Sequence, residues 1–247
     1  MKGEGRMLAL RKMEALVLAL FFIVSLSASG DVLFEDDFEA EDIGDEPSLW
    51  NMVAGFTFEV VADPQNPGHK VLSETGEGNG LGVPTPAGWE NQTWTDYIWE
   101  FDWMWDADVY AGTAHRYQDA QHYLHSSRRE GGSNFIIYNW NGDWNELDNQ
   151  PWSSQANTWY RMQISDIGDQ HIVKGKEQGD DTPFDELDPI VSAEDNTYAE
   201  GPIGLFGVSE GTLYWDNIIV YEPGTVIGAV ELSDKLAVTW GRIKVRD

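Results

Sequence analysis

Residues 97–105 read Tyr97-Ile98-Trp99-Glu100-Phe101-Asp102-Trp103-Met104-Trp105. Aromatic rings occupy every odd position, and Glu100 and Asp102 stand among the even ones. A β-strand places every second side chain on one face, so this segment predicts a half-buried strand whose acids face away from the core. Working outward, Asn134–Trp140 (NFIIYNW) is a strongly apolar strand. Trp159–Ser165 and Gln170–Lys176 form a hairpin with Gly168 in the turn. Ile203–Val208 and Thr212–Tyr221 read as a second pair across residues 209–211, and earlier strands are expected near Val32–Phe38, Phe56–Ala62 and Val71–Glu74. After residue 30 no stretch keeps a helical period. Short strands punctuated by Gly, Pro and Asn over about 190 residues predict an all-β sandwich of two antiparallel sheets. Two long loops interrupt it, Asn141–Asn157 with Trp144 and Trp152, and the acidic Gln178–Asn196. Loops of that length are uncommon in a compact domain unless they bind something or are disordered.

The chain has 247 residues, 15 Lys and Arg against 43 Asp and Glu, and a formal charge of −28. Nucleic acid is excluded as a partner, because phosphate binding needs clustered cations. The same field repels anionic membranes and suits neutral or cationic ligands. Apolar residues at 41% suffice for a core, and twelve Trp exceed what a core needs, leaving indoles for a contact surface.

Residues 1–30 read as a signal peptide: a basic head of Lys2, Arg6, Arg11 and Lys12, an apolar run from Ala15 to Leu26, and small residues Ser27-Ala28-Ser29-Gly30 before Asp31. The run is shorter than the roughly 20 residues a membrane span needs, so a secreted protein without membrane insertion after cleavage is expected. Without cysteine it would enter an oxidising space with no disulfide, held by packing and metal alone. The expected domain covers 31–224, and 225–247 is a tail of different composition carrying Lys235, Arg242, Lys244 and Arg246.

Several local patterns resemble the concanavalin A-like lectin and glucanase superfamily, laminin-G-like domains included. They are Glu35-Asp36-Asp37-Phe38 followed by Leu49-Trp50-Asn51, Trp159-Tyr160-Arg161, Gly201-Pro202-Ile203-Gly204-Leu205, and Tyr214-Trp215-Asp216-Asn217-Ile218-Ile219-Val220. The resemblance spans Asp31–Pro223 and implies a jelly-roll sandwich. The GPIGL-type strand is similar to that of the 3-keto-disaccharide hydrolase group. In the resembling glucanases a structural calcium is held by a closing-strand Asp, a first-strand carbonyl and a Gly carbonyl. The resemblance carries these to Asp216, Asp37 and Gly68. Asp216 shares its strand alternation with Tyr214, Ile218 and Val220, so it is expected to point where apolar groups point, and a buried carboxylate needs a partner or a metal. The alternative is hydrogen bonding to backbone N–H groups.

Glu100-x-Asp102 resembles the catalytic strand of family 16 glycoside hydrolases, in which a following Glu is the acid/base. Here Met104 stands at that position and an acid returns only at Asp106. Without a proton donor to the leaving oxygen that mechanism is not expected. The stretch His115 to His125 holds three of the five histidines, but His122 and His125 fall on opposite faces of a strand and do not fit a zinc set. Arg116, Tyr123 and His125 remain candidate cleft groups, with Glu100 and Asp102 as hydroxyl acceptors and Trp144 and Trp152 as stacking platforms. The expected function is binding of a neutral glycan in a cleft at the polar face of residues 97–105. One alternative is a 3-keto-disaccharide-type hydrolase using Glu100, Asp102 and His125. The other is a structural or adhesive domain whose Trp residues all serve the core.

Overall fold

The computed structural model describes residues 30–52, 56–75, 85–89, 94–107, 110–129, 131, 133–208, 211–225 and 227. The expected signal segment through residue 29, and the tail from 228 onward, lie outside the described residues. Asp31–Pro223 form one compact unit.

The expected all-β jelly-roll sandwich of two antiparallel sheets is observed. One sheet has eight strands, in the order β13 (Val191–Glu194), β12 (Gln170–Glu177), β11 (Tyr160–Ile167), β6 (Tyr97–Trp105), β15 (Thr212–Tyr221), β4 (Lys70–Thr75) and β3 (Thr57–Ala62), with β1 (Val32–Asp36) also paired to β15. The second has five, in the order β10 (Trp144–Pro151), β9 (Asn134–Trp140), β8 (His122–Arg128), β7 (Tyr110–Asp119) and β14 (Gly204–Val208). A two-residue pair, β2 (Trp50–Asn51) with β5 (Thr85–Pro86), lies apart from both. No α-helix occurs among the described residues.

The alternation in β6 positions everything else. Trp99, Phe101, Trp103 and Trp105 are all buried and run as a file of rings, with centroids 4.5, 5.7 and 5.5 Å apart in succession. They pack with Phe135 and Ile137 of β9 and Leu205 of β14 in one core between the sheets. Each such ring contributes on the order of 2–3 kcal/mol of burial. The even residues of β6 therefore line the outer face of the eight-stranded sheet.

Three expectations are corrected. β14 and β15 do not pair: β14 adds to β7 in the five-stranded sheet, while β15 sits between β6 and the β4/β1 edge of the other. Adjacent strands in sequence can end in different sheets when each has an apolar face to bury. Residues 141–157 are not a plain loop, because β10 pairs along β9 from Trp144↔Trp140 to Pro151↔Asn134. Finally, β15 does not alternate to its end. The register against β6 shifts between Asp216 and Ile219, and Asn217 takes a left-handed φ of 50°. Trp215, Ile218 and Val220 all enter the core, so Asp216 lies on the outer face with Tyr214.

Candidate functional site

The expected cleft residues fall on different faces. On the outer face of the eight-stranded sheet, Arg161 donates to Glu100 at 3.1 Å and to Asp102 at 3.3 Å. Gln163 (3.0 Å) and the Tyr221 hydroxyl (2.7 Å) also donate to Glu100, and Asn217 (2.9 Å) and Gln178 (3.2 Å) to Asp102. Asp102 is buried and Glu100 nearly so. Two carboxylates that together accept six hydrogen bonds from the protein have little capacity left for sugar hydroxyls. The acids expected to bind ligand thus serve a polar seam between β6, β11 and β15.

Arg116 is not a cleft group either. Its φ is 51°, and its buried guanidinium donates to the carbonyls of Ala199, Tyr198 (3.4 Å) and Gly168 (3.3 Å), tying two connections together. Trp152 turns inward against Phe135 and Tyr160, with centroids at 5.4 and 5.2 Å.

Trp144, Tyr123 and His125 do come together, on the outer face of the five-stranded sheet. Register places Trp144 beside Trp140 and Tyr123, and in the next row Glu146 beside Tyr138 and His125. Trp144 is 43% exposed, and its ring lies 4.5 Å from Trp140, 5.2 Å from His125 and 5.4 Å from Tyr138. Phe206 of β14 packs on His125 at 4.0 Å, over Gly112. An exposed indole embedded in partly covered rings is a preorganised apolar platform.

Its polar groups are specific. His125 Nδ1 lies 3.0 Å from the Thr113 carbonyl, which only accepts, so Nδ1 carries the proton and Nε2 is an acceptor. Burial pushes the His125 imidazolium down to about 3, leaving a neutral ring at ordinary pH. The Tyr123 hydroxyl is buried without a hydrogen-bond partner. Tyr138, Trp140 and Phe206 escaped sequence reasoning. The signal for the first two was the alternation Ile136, Tyr138, Trp140 inside a strand read as wholly apolar.

At the β15 bulge the acids converge. Burial first, then the charge of Asp102 and more weakly those of Asp37 and Glu39, push Asp216 up to about 8, against hydrogen bonding from the Asn217 N–H. Asp37 lies just after β1, and Gly68 lies in the turn 63–69 whose His69 reaches Glu39 at 3.4 Å. The carboxylate oxygens there repel one another.

The Ser126 hydroxyl, 2.9 Å from His115 Nε2, and Asp166, 2.8 Å from His115 Nδ1, reproduce the order of a nucleophile–base–acid triad. All three residues are fully buried, so no substrate reaches Ser126.

No known family profile matches the sequence, and no curated protein matches it. Among solved structures the fold is similar to a Bacillus subtilis protein of unknown function with a galectin-like fold, at 14% identity over 78% of this chain and 97% of that one, TM-score 0.56. It is also similar to xylan beta-1,4-xylosidase from Bacillus halodurans, at 13% identity over 76% of this chain but 39% of the enzyme, TM-score 0.52. An uncharacterised protein of Mycobacterium paratuberculosis matches at 13% identity over 76% and 99%, TM-score 0.51. The likeness is one of fold: a lectin-like β-sandwich.

Proposed function

We propose that this is an exported carbohydrate-binding domain whose site is the outer face of the five-stranded sheet, with calcium at the β15 bulge as a structural ion. The observation that carries the reading is Trp144: an exposed indole continuous with Trp140, Tyr138 and His125. A pyranose presents apolar C–H groups to such rings, of which Trp144 is the most exposed. The charge of −28 favours neutral glycans over sulfated or uronic ones. The sandwich is shared with part of a xylosidase, so xylan is a reasonable first polysaccharide to try. Calcium would be held by Asp216, the Asp37 carbonyl and the Gly68 turn, and would neutralise the repulsion between Asp216 and its acidic neighbours.

Titration calorimetry against neutral polysaccharides tests this reading. Trp144→Ala should weaken binding by about 1–3 kcal/mol, whereas Trp152→Ala and Glu100→Gln should leave the affinity of folded protein unchanged. If wild type binds no neutral glycan, or Trp144→Ala binds as tightly, the face is not a sugar site.

A further inference from the structure

His115 of β7 and His171 of β12 come from opposite sheets and meet on one carboxylate, Asp166 of β11. His115 Nδ1 lies 2.8 and 3.0 Å from the two Asp166 oxygens, and His171 Nδ1 lies 2.6 Å from Oδ1. All three side chains are completely buried. The far nitrogens are also placed: His115 Nε2 is 2.9 Å from Ser126 Oγ, and His171 Nε2 is 2.9 Å from the Asp195 carbonyl.

Proton accounting limits what this cluster can be. A carbonyl only accepts, so His171 Nε2 carries a proton. His171 Nδ1 then either bears a second proton, making a buried imidazolium, or accepts a hydrogen bond from a protonated Asp166, or offers its lone pair to a metal. The first option strips a cation and a carboxylate of water, which costs several kcal/mol before their attraction offsets it. The third needs neither a buried imidazolium nor a protonated carboxyl. Both Nδ1 atoms and the carboxylate become ligands, His171 Nε2–H donates to a backbone carbonyl, and His115 Nε2–H donates to a serine oxygen. That outer arrangement is the one that orients metal-ligating histidines in general.

We propose that His115, Asp166 and His171 form a binding site for a borderline divalent transition metal, zinc being the fitting ion, which links the two sheets. Two imidazoles and one carboxylate suit zinc and disfavour calcium or magnesium, which want oxygen alone. At zinc bond lengths of about 2.0–2.2 Å the donors part by roughly half an ångström, His115 moves its proton from Nδ1 to Nε2, and one net proton, that between His171 Nδ1 and Asp166, leaves as the ion binds. In a chain without cysteine, such an ion supplies the inter-sheet link that a disulfide supplies elsewhere. This site is independent of the sugar face and of the acids around Asp216.

The test uses the full chain, stripped by chelator under unfolding conditions and refolded with Zn2+ or Co2+. About one equivalent should survive gel filtration, the Co2+ form should show visible absorption of a low-coordinate N/O site, and the Tm should rise by about 5–10 °C at a hundredfold excess over Kd. The equivalent should vanish in His171→Gln and persist in His122→Gln, whose histidine is surface-exposed on β8. Loss in His122→Gln with retention in His171→Gln overturns the site, as does a wild-type protein that retains no metal. If His171→Gln does not fold, imidazole 15N NMR of zinc-equilibrated wild type decides. A doubly protonated His171 overturns the proposal, whereas protons on both Nε2 atoms with none on either Nδ1 support it.

Discussion

At the scale of single residues, Gly112 shows how little room the aromatic face leaves. A Cβ there would stand 2.5 Å from the His125 ring and 2.9 Å from the Ser127 Cβ. Only the absence of a side chain lets the His125 ring sit, tilted, against Phe206 and Trp144. Gly112→Ala should therefore displace His125 and, through it, the indole. We expect a loss of about 1–3 kcal/mol of stability from overpacking, together with weaker glycan binding by the folded variant. Thermal melts and calorimetry on the same preparation check both, and unaltered affinity would show that His125 does not set the position of Trp144. The histidines also mark the limit of sequence reading. His115, His122 and His125 lie close in sequence and invite treatment as one group. The fold sends His122 to the surface, His125 to the outer face and His115 into the interior to meet His171. That meeting depends on which strand of one sheet lies over which strand of the other, and no local pattern encodes it.

At the scale of elements, β6 was legible and β15 was not wholly so, for a physical reason. A strand paired on both sides keeps its period, and the nine residues of β6 obey it throughout. β15 changes partners on one edge, from β4 at Trp215 to β1 at Ile218, and the extra residue at Asn217 absorbs the change. The alternation inverts there, so Asp216 faces outward although simple counting sends it inward. The same bulge holds Asp216 near Asp102, Asp37 and Glu39, with one strong cation, Arg161, bonded to Asp102. An added hard cation should relieve this repulsion. We expect millimolar Ca2+ to raise the Tm of wild type and a chelator to reverse it, because a ligand bound only by the folded state stabilises that state. Asp216→Asn should melt at the same temperature with or without Ca2+. Identical wild-type melts in calcium and in chelator would remove calcium from the bulge. The hairpin of β9 and β10 was missed because β10 is polar and largely exposed, leaving no alternation to detect. Its one bulky apolar residue at the start, Trp144, stands on the outer face of the five-stranded sheet, the face proposed to bind sugar.

At the scale of the whole molecule, the core holds one group that does not belong with its neighbours. Glu74 of β4 pairs with Phe58 on one side and Leu213 on the other, all three on the inner face, and it is 1% exposed. Its Oε1 has no hydrogen-bond partner, and burial pushes its carboxyl up to about 7. The sign follows from the direction of the shift. The folded state holds this proton more tightly than the unfolded chain, whose Glu titrates near 4.5. Stability from Glu74 is therefore fully present below about pH 4.5 and is lost as pH rises through 7. Asp216, whose carboxyl is pushed up to about 8, contributes a fall of the same sign over the same range. Glu74 and Asp216 should together account for much of a fall in Tm between pH 6 and pH 8.5. Glu74→Met keeps similar volume and removes the charge, so its Tm should exceed that of wild type at pH 8.5 by more than at pH 5.5, and its pH profile should be flatter. Thermal melts of both proteins across that range, in chelator to silence any metal, make the comparison. Parallel profiles would mean that Glu74 stays ionised and solvated in the folded protein, and the apolar packing around it would have to be redrawn.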